Sequence, residues 1–297
     1  MDDLQMLAEA LHKPDPSREA VDEGRHRLQN AMRRPSRRRR TAWTAAGLGL
    51  AGAAAATAVV VTTSGSGGPT GTPNGPPSPM SARQVLLVAA ESAARAPEGK
   101  GTYWHVEYVR NGPGAEGRSR ESWESWTTRT GRTWTSSAKA GGRLLKGSSG
   151  LSLGGLPVTF KQVENLPAEP AALKKWIAKG WQGSDVRTSA GKLTAADRRE
   201  FGLYSLVSLV TDVPAAPGVR AAAFRAIATY PGVRSLGEVD GGQGLEFGSE
   251  PQRLVVDPAT GRVRNTNFYV PQSGGTVWIQ PPATMTITAS WTDTKPA

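Results

Sequence analysis

The sequence predicts an α+β protein in four segments. These are a short helical cytoplasmic segment over residues 1–40, one transmembrane helix over 41–63, a Gly/Pro linker over 64–80, and an extracytoplasmic domain over 81–297. In the last segment a curved antiparallel sheet is expected, covered by helices on one face. Three observations carry this. Residues 41–63 are uncharged and follow a run of arginines; apolar and polar residues alternate with period two near both ends of 103–291; and helical periodicity fills the interval between.

The first segment reads as two short helices. "DDLQMLAEALH" spaces Leu4, Leu7 and Leu11 at i, i+3 and i+7, with acidic residues in the first turn that suit the helix dipole. Pro14 and Pro16 interrupt it, and Ser17 can cap a second helix, "SREAVDEGRHRLQNAM", with Val21, Leu28 and Met32 near one face. Two helices with one thin apolar stripe each cannot build a core. They either dock on a partner, with Leu4, Leu7, Leu11 and Leu28 as contacts, or stay loosely ordered.

Gly47, Gly49 and Gly52 match the G-x-G-x-x-G spacing of a dinucleotide loop. Such a loop needs a strand before it and an acidic residue about 20 positions on. Here the preceding run is Arg37, Arg38, Arg39 and Arg40, and no acidic residue stands between Glu23 and Glu91. A membrane span fits better: residues 41–63 contain no Pro, Asn or Gln, and a helix of that length reaches about 34 Å at ~1.5 Å per residue. Arginines before the span and no charge after it until Arg83 put the N-terminus in the cytoplasm and the C-terminal bulk outside. Trp43 stands where an interfacial aromatic would. Ala45, Gly49 and Ala53 could let two spans approach closely, or could be plain small-residue filling. A cleaved export signal is the competing reading, for which the forty residues ahead of the span are too long.

The linker "SGSGGPTGTPNGPPSPM" is uncharged, flexible at its Gly/Ser start and stiffer where prolines accumulate. Ser81 then caps "ARQVLLVAAESAARA", with Val85, Val88, Ala89 and Ser92 on one side. In "TYWHVEYVR" Tyr103, His105, Glu107 and Val109 face one way, and Trp104, Val106 and Tyr108 the other. "RESWESWTTR" and "RTWTSS" continue as strands across a turn at Thr130 and Gly131. A helix is expected over 168–179, another from the cap Thr194 through "AADRREFGLYSLVSLVTDV", apolar nearly all round, and a third from Pro217, stopped by Tyr230, Pro231 and Gly232. Strands return as "RSLGEV", "GLEFG", "QRLVVDP", "GRVRNTNFYV", "TVWI" and "TMTITASW", with a turn over 257–261.

There is no cysteine, hence no disulfide, thiolate metal site or lipidated cysteine. The histidines His12, His26 and His105 fall on both sides of the span, so no histidine cluster can hold a metal or work as an acid and base pair. "GLSLG" has the letters of a nucleophile elbow at Ser152, but Pro157 follows in place of a helix and no histidine comes after it; it reads as a glycine-serine loop. Glu121 and Glu124 are three apart on a strand and face opposite ways, unlike a glycosidase pair. No cofactor or catalytic residue is assigned. The net charge of +11 divides as about +3 before the span and +8 beyond it, which outside a membrane suits anionic envelope material or a solvated surface and makes nucleic acid an unsuitable target. Trp104, Trp123, Trp126, Trp134, Trp278 and Trp291 all fall in expected strands. They either pack the sheet against its helices or, with Trp104, Trp123, Trp126 and Trp134 as lining, bound a concavity for an acyl chain or peptide.

The N-terminal "MDDLQMLAEALHKPDPSREAVDEGRHRLQNAM", the arginine-flanked span, "LPAEPAALKKWI", "LVTDVPAAPGVRAAAFRAIATYPGV" and "RLVVDPATGRV" together resemble an uncharacterised actinobacterial family of single-span membrane proteins, often encoded beside extracytoplasmic-function sigma factors. The outer domain is similar to the half-barrel of lipoprotein-carrier and periplasmic sigma-regulator sensor domains. The resemblance implies a non-enzymatic protein that binds an envelope lipid or protein outside and a regulator such as a sigma factor inside. A tethered carrier of apolar ligands without signalling is the alternative.

Overall fold

The computed structural model describes residues 79–112, 120–137, 141–147, 150–188, 191–248, 251–271 and 276–296. The helical segment 1–40 with Leu4, Leu7, Leu11 and Leu28, the arginines Arg37 to Arg40, the expected span 41–63 with Trp43, and the linker to residue 78 lie outside the described residues. Among the described residues no helix is long and apolar enough to cross a membrane.

The described part is α+β, as expected, with a nine-stranded antiparallel sheet at its centre. Helix α1 (Ala82–Arg95) begins at a capping box: Ser81 Oγ accepts from Gln84 N, and Gln84 Oε1 accepts from Ser81 N. Its buried face is Ala82, Val85, Leu86, Ala89, Ala90 and Ala93, so the expected stripe through Val88 is corrected: Val88 is 41% exposed. The alanines allow close helix packing, with Val85 and Leu86 buried among them.

Strands β1 (Tyr103–Asn111), β2 (Arg120–Thr128) and β3 (Thr133–Ser137) form a meander, extended by β4 (Leu145–Gly147). The turn between β2 and β3 uses Gly131 at φ +82°, open to glycine without strain. The glycine-serine loop is corrected to a hairpin: β5 (Leu151–Leu153) pairs with β6 (Leu156–Val158) around Gly154 and Gly155, both at positive φ. A short helix α2 (Phe160–Glu164) follows. Helix α3 (Pro170–Gln182) starts later than 168, because the Glu169 carboxylate accepts from Ala171 N and Ala172 N and Pro170 fills the first position.

After the small hairpin β7 (Arg187–Thr188) and β8 (Gly191–Lys192), α4 (Ala195–Thr211) begins at the Thr194–Asp197 capping box. Every residue from 202 to 210 is buried, as an all-round apolar helix requires. Helix α5 (Pro217–Ile227) packs on α1 and α4. Strands β9 (Arg234–Val239), β10 (Gly242–Phe247), β11 (Gln252–Asp257) and β12 (Arg262–Thr266) form a second meander. The single strand expected over 261–270 breaks at Asn267, where β13 (Phe268–Tyr269) leaves to pair with β14 (Val277–Trp278). The last strand, β15 (Thr284–Thr292), joins the two meanders, giving the order β4-β3-β2-β1-β15-β12-β11-β10-β9.

The helices cover one face. Trp104, Val106, Leu245, Phe247, Leu254, Val256, Val263, Met285 and Ile287 meet Leu203, Leu206, Leu209, Val210 and Phe224 in a single apolar core. Between α4 and the sheet, near Tyr204, Thr266 and Phe268, the remaining void is about 10 Å³, room for no more than one water.

Candidate functional site

The two joints of β15 differ. Against β1 it pairs continuously from Tyr103 with Thr292 to Asn111 with Thr284. Against β12 it pairs only at Thr266 with Met285. A register shift at Val255 and Val256 of β11, a bulge or similar irregularity, adds twist just before β12. Beyond Met285 the two strands separate, and a cleft of about 420 Å³ opens where pairing would otherwise have continued.

The walls of this cleft are Arg262 to Arg264 on β12 and Thr286 to Ala289 on β15; its rim is Asp257 at the end of β11, with Thr260 and Gly261 in the turn after it. The floor is the end of α4 and the loop after it, Leu209, Val210, Thr211 and Val213, with Trp104 and Arg220. Three arginines therefore face one aspartate. Arg264 takes that aspartate in an ion pair at 2.6 Å. Burial pushes the Asp257 carboxyl up, but the bonds from Arg264, Thr260 and Ala259 N together outweigh it and leave its pKa below the usual carboxylate value. Arg220 donates to Ala215 O at 3.3 Å, and among the described residues neither Arg220 nor Arg262 reaches a carboxylate. Burial first, and then the like charge of Arg262, lower the Arg220 pKa.

Next to the floor lies a half-buried polar pair. Tyr108 Oη donates to Asp212 Oδ2 at 2.8 Å, Thr211 Oγ1 donates to Asp212 Oδ1 at 3.0 Å, and Trp104 Nε1 donates to Asp212 O at 2.6 Å. Burial pushes the Asp212 carboxyl from 3.8 up to about 6, with the Tyr108 and Thr211 hydroxyls pulling the other way. The Tyr108 phenol is raised well above its usual value by burial and then by Asp212. Because the folded-state pKa of Asp212 exceeds the unfolded one, the stability it contributes is complete below about pH 4 and lost as the pH rises through about 6. Asp212→Asn removes that loss. Urea unfolding should show the variant gaining on the parent by ~2–3 kcal/mol between pH 4 and pH 7, at about 1.4 kcal/mol per pKa unit; a gap independent of pH would show the carboxyl is not held up.

The four tryptophans proposed as one lining do not share a face. Trp104 and Trp123 lie on the helix-covered side, Trp104 at 5% exposure. Trp123 stacks on Tyr108 at 5.3 Å between centroids, and Tyr269 closes on both at 5.5 and 5.6 Å, so this cluster fills its own space. Trp126 and Trp134, paired across β2 and β3, lie on the opposite face. There Trp126 stacks on His105 at 4.7 Å, His105 Nε2 meets Glu124 Oε2 at 2.7 Å, and Tyr103 packs edge-on to Trp134. The opposite facing of Glu121 and Glu124 holds: Glu121 pairs with Arg110 on the covered side. Ser152 Oγ accepts from Gly155 N within its hairpin turn.

The sequence reading passed over Arg220, Arg262, Arg264 and Asp212. A signal existed for Arg220, since it is the charge set among Val219, Ala221, Ala222, Ala223 and Phe224, all buried. Comparison with family models, with curated proteins and with solved structures found no match.

Proposed function

We propose that this chain is a non-enzymatic, single-pass membrane protein that holds its 81–297 domain outside the cell and binds an envelope ligand in the cleft between β12 and β15. In this reading residues 41–63 form the anchor, Arg37 to Arg40 and Trp43 fix its orientation, and the helices of 1–40 contact a cytoplasmic regulator such as a sigma factor through Leu4, Leu7, Leu11 and Leu28. A half-barrel-like sheet curved around its helices belongs to the same reading, and the packing of the helices on one face of the nine-stranded sheet supports it. The observation that carries the binding role is the cleft itself: a cavity of about 420 Å³ with an apolar floor and a few charged groups at its walls, within the range typical of ligand sites.

Protease added to intact cells tests the topology. Residues 81–297 should be digested and the first forty protected; survival of the C-terminal bulk would refute the placement. Deleting residues 1–32 should then change the set of bound cytoplasmic proteins and the transcription of the genes they control. If neither changes, the signalling half of the reading is wrong.

A tethered carrier of apolar envelope ligands is the second reading. It is favoured by a separate open groove of about 740 Å³ lined by Leu156, Pro157, Val158, Trp176 and Val186. Lipid recovered from the purified protein, with no effect of the 1–32 deletion, would select it.

A further inference from the structure

We propose that the cleft between β12 and β15 is an oxyanion site, in which Arg220 and Arg262 together hold a phosphate-type group while the apolar floor takes the rest of the ligand. This deepens the binding role above and rests on it. Arg220 and Arg262 line one cavity, and the only carboxylate among its described lining residues, Asp257, is already taken by Arg264. Arg220 is half-buried on α5, between apolar turns, with a long bond to Ala215 O for a partner. A buried cation without a counter-charge is costly, and a second cation beside it raises the cost. The lowered pKa of Arg220 is the same strain in another form. An anion between the two relieves both.

Phosphate chemistry fits the rest of the lining. A guanidinium offers its donors in a planar fork that meets two oxygens at once, and two forks suit a group with three or more acceptor oxygens. Thr260, Thr286 and Thr288 line the same space, and their hydroxyls can supply further donors. Leu209, Val210, Val213 and Trp104 offer the remainder of the ligand apolar surface. Either a lipid headgroup or a soluble phosphate could supply the anion.

The test is thermal unfolding of the full-length protein in a neutral detergent, with inorganic phosphate, short-chain phosphatidic acid or short-chain phosphatidylcholine added at constant ionic strength in chloride. A ligand that binds only the folded state raises Tm with concentration. We expect a rise with phosphatidic acid at concentrations at least tenfold below those needed for inorganic phosphate, and none with the zwitterionic lipid. Equal potency of inorganic phosphate and phosphatidic acid would identify a soluble phosphate as the source. Arg262→Ala, at an exposed position, should weaken the effect at least tenfold. Arg220→Met should abolish it while leaving the ligand-free Tm equal to or above that of the parent, since it removes a destabilising charge. Arg220→Lys keeps the charge, loses the fork and should bind at an intermediate level. The assignment is overturned if neither phosphate probe raises Tm beyond the chloride control, or if the rise survives in both Arg262→Ala and Arg220→Met. An organic extract of the native membranes separates that failure from failure of the cleft as a binding site. If the extract stabilises the parent but not an Ala289→Trp variant that plugs the cleft, binding stands without the anion; if it stabilises neither, both readings fall.

Discussion

Trp181→Ala should lower the unfolding free energy of the domain by about 3–5 kcal/mol, as expected for a large aromatic removed from a core. Trp181 is 1% exposed and lies where α3 meets α4. Its ring stacks on Phe201 at 5.1 Å, and its Nε1 donates to Ser205 Oγ at 2.9 Å. That hydroxyl also lies 2.8 Å from Leu153 O and from Phe201 O, and Ser208 Oγ accepts from Gly154 N, so the hairpin β5–β6 is fastened to α4 through the same serines. Alanine would leave a cavity and remove a donor from a buried hydroxyl at once. Trp181→Phe refills most of the volume and loses only the bond, so it should cost about 1–2 kcal/mol, near the worth of one buried hydrogen bond. Urea unfolding followed by Trp fluorescence and circular dichroism checks both. A loss under ~1 kcal/mol for the alanine variant would mean that α3 is not held by this contact.

Gly261→Ala is the second large effect. Gly261 ends the turn between β11 and β12 with φ +63° and is buried against α1. A Cβ there would stand 2.6 Å from Ala89 O and 2.7 Å from Ala93 N. Both are helix backbone, which cannot swing aside as a side-chain end can. Left-handed backbone strain of roughly 1–3 kcal/mol adds to overpacking of similar size, for a total of about 2–6 kcal/mol. Gly131→Ala serves as the control: it too has positive φ, yet nothing lies within 4 Å of its added Cβ. It should cost only the strain, about 1 kcal/mol. Because Gly261 also forms the cleft rim, the same substitution should weaken ligand-induced stabilisation when the protein is assayed well below its melting temperature.

Much of the fold was legible because it is local. Ser81 and Thr194 announce helices through side chains that bond three residues on, and the alternation of Trp104, Val106 and Tyr108 against Tyr103, His105 and Glu107 follows from the two-residue period of a strand. The same period, applied to Trp123 and Trp126, would have shown that these two cannot line one concavity. Short elements escaped: β5 and β6 have three residues each, too few for any periodicity, and only their tertiary contacts with Ser205 and Ser208 of α4 explain why they persist. The break at Asn267 escaped as well. Its side chain accepts from Arg253 N of β11 and donates to Pro251 O just before that strand, bonds that local sequence does not specify.

What the sequence determined by itself is the α+β class, the cap and stop of the main helices and the period of the long strands, since each depends on residues within a turn or two of one another. Only the tertiary structure decided which face each tryptophan joins and that β15 comes between β1 and β12. It also decided that Arg220 and Arg262, forty-two positions apart, meet at one cleft. Those facts depend on pairings across long stretches of chain, and the contacts that fix them exist only once the two meanders have been joined by the last strand.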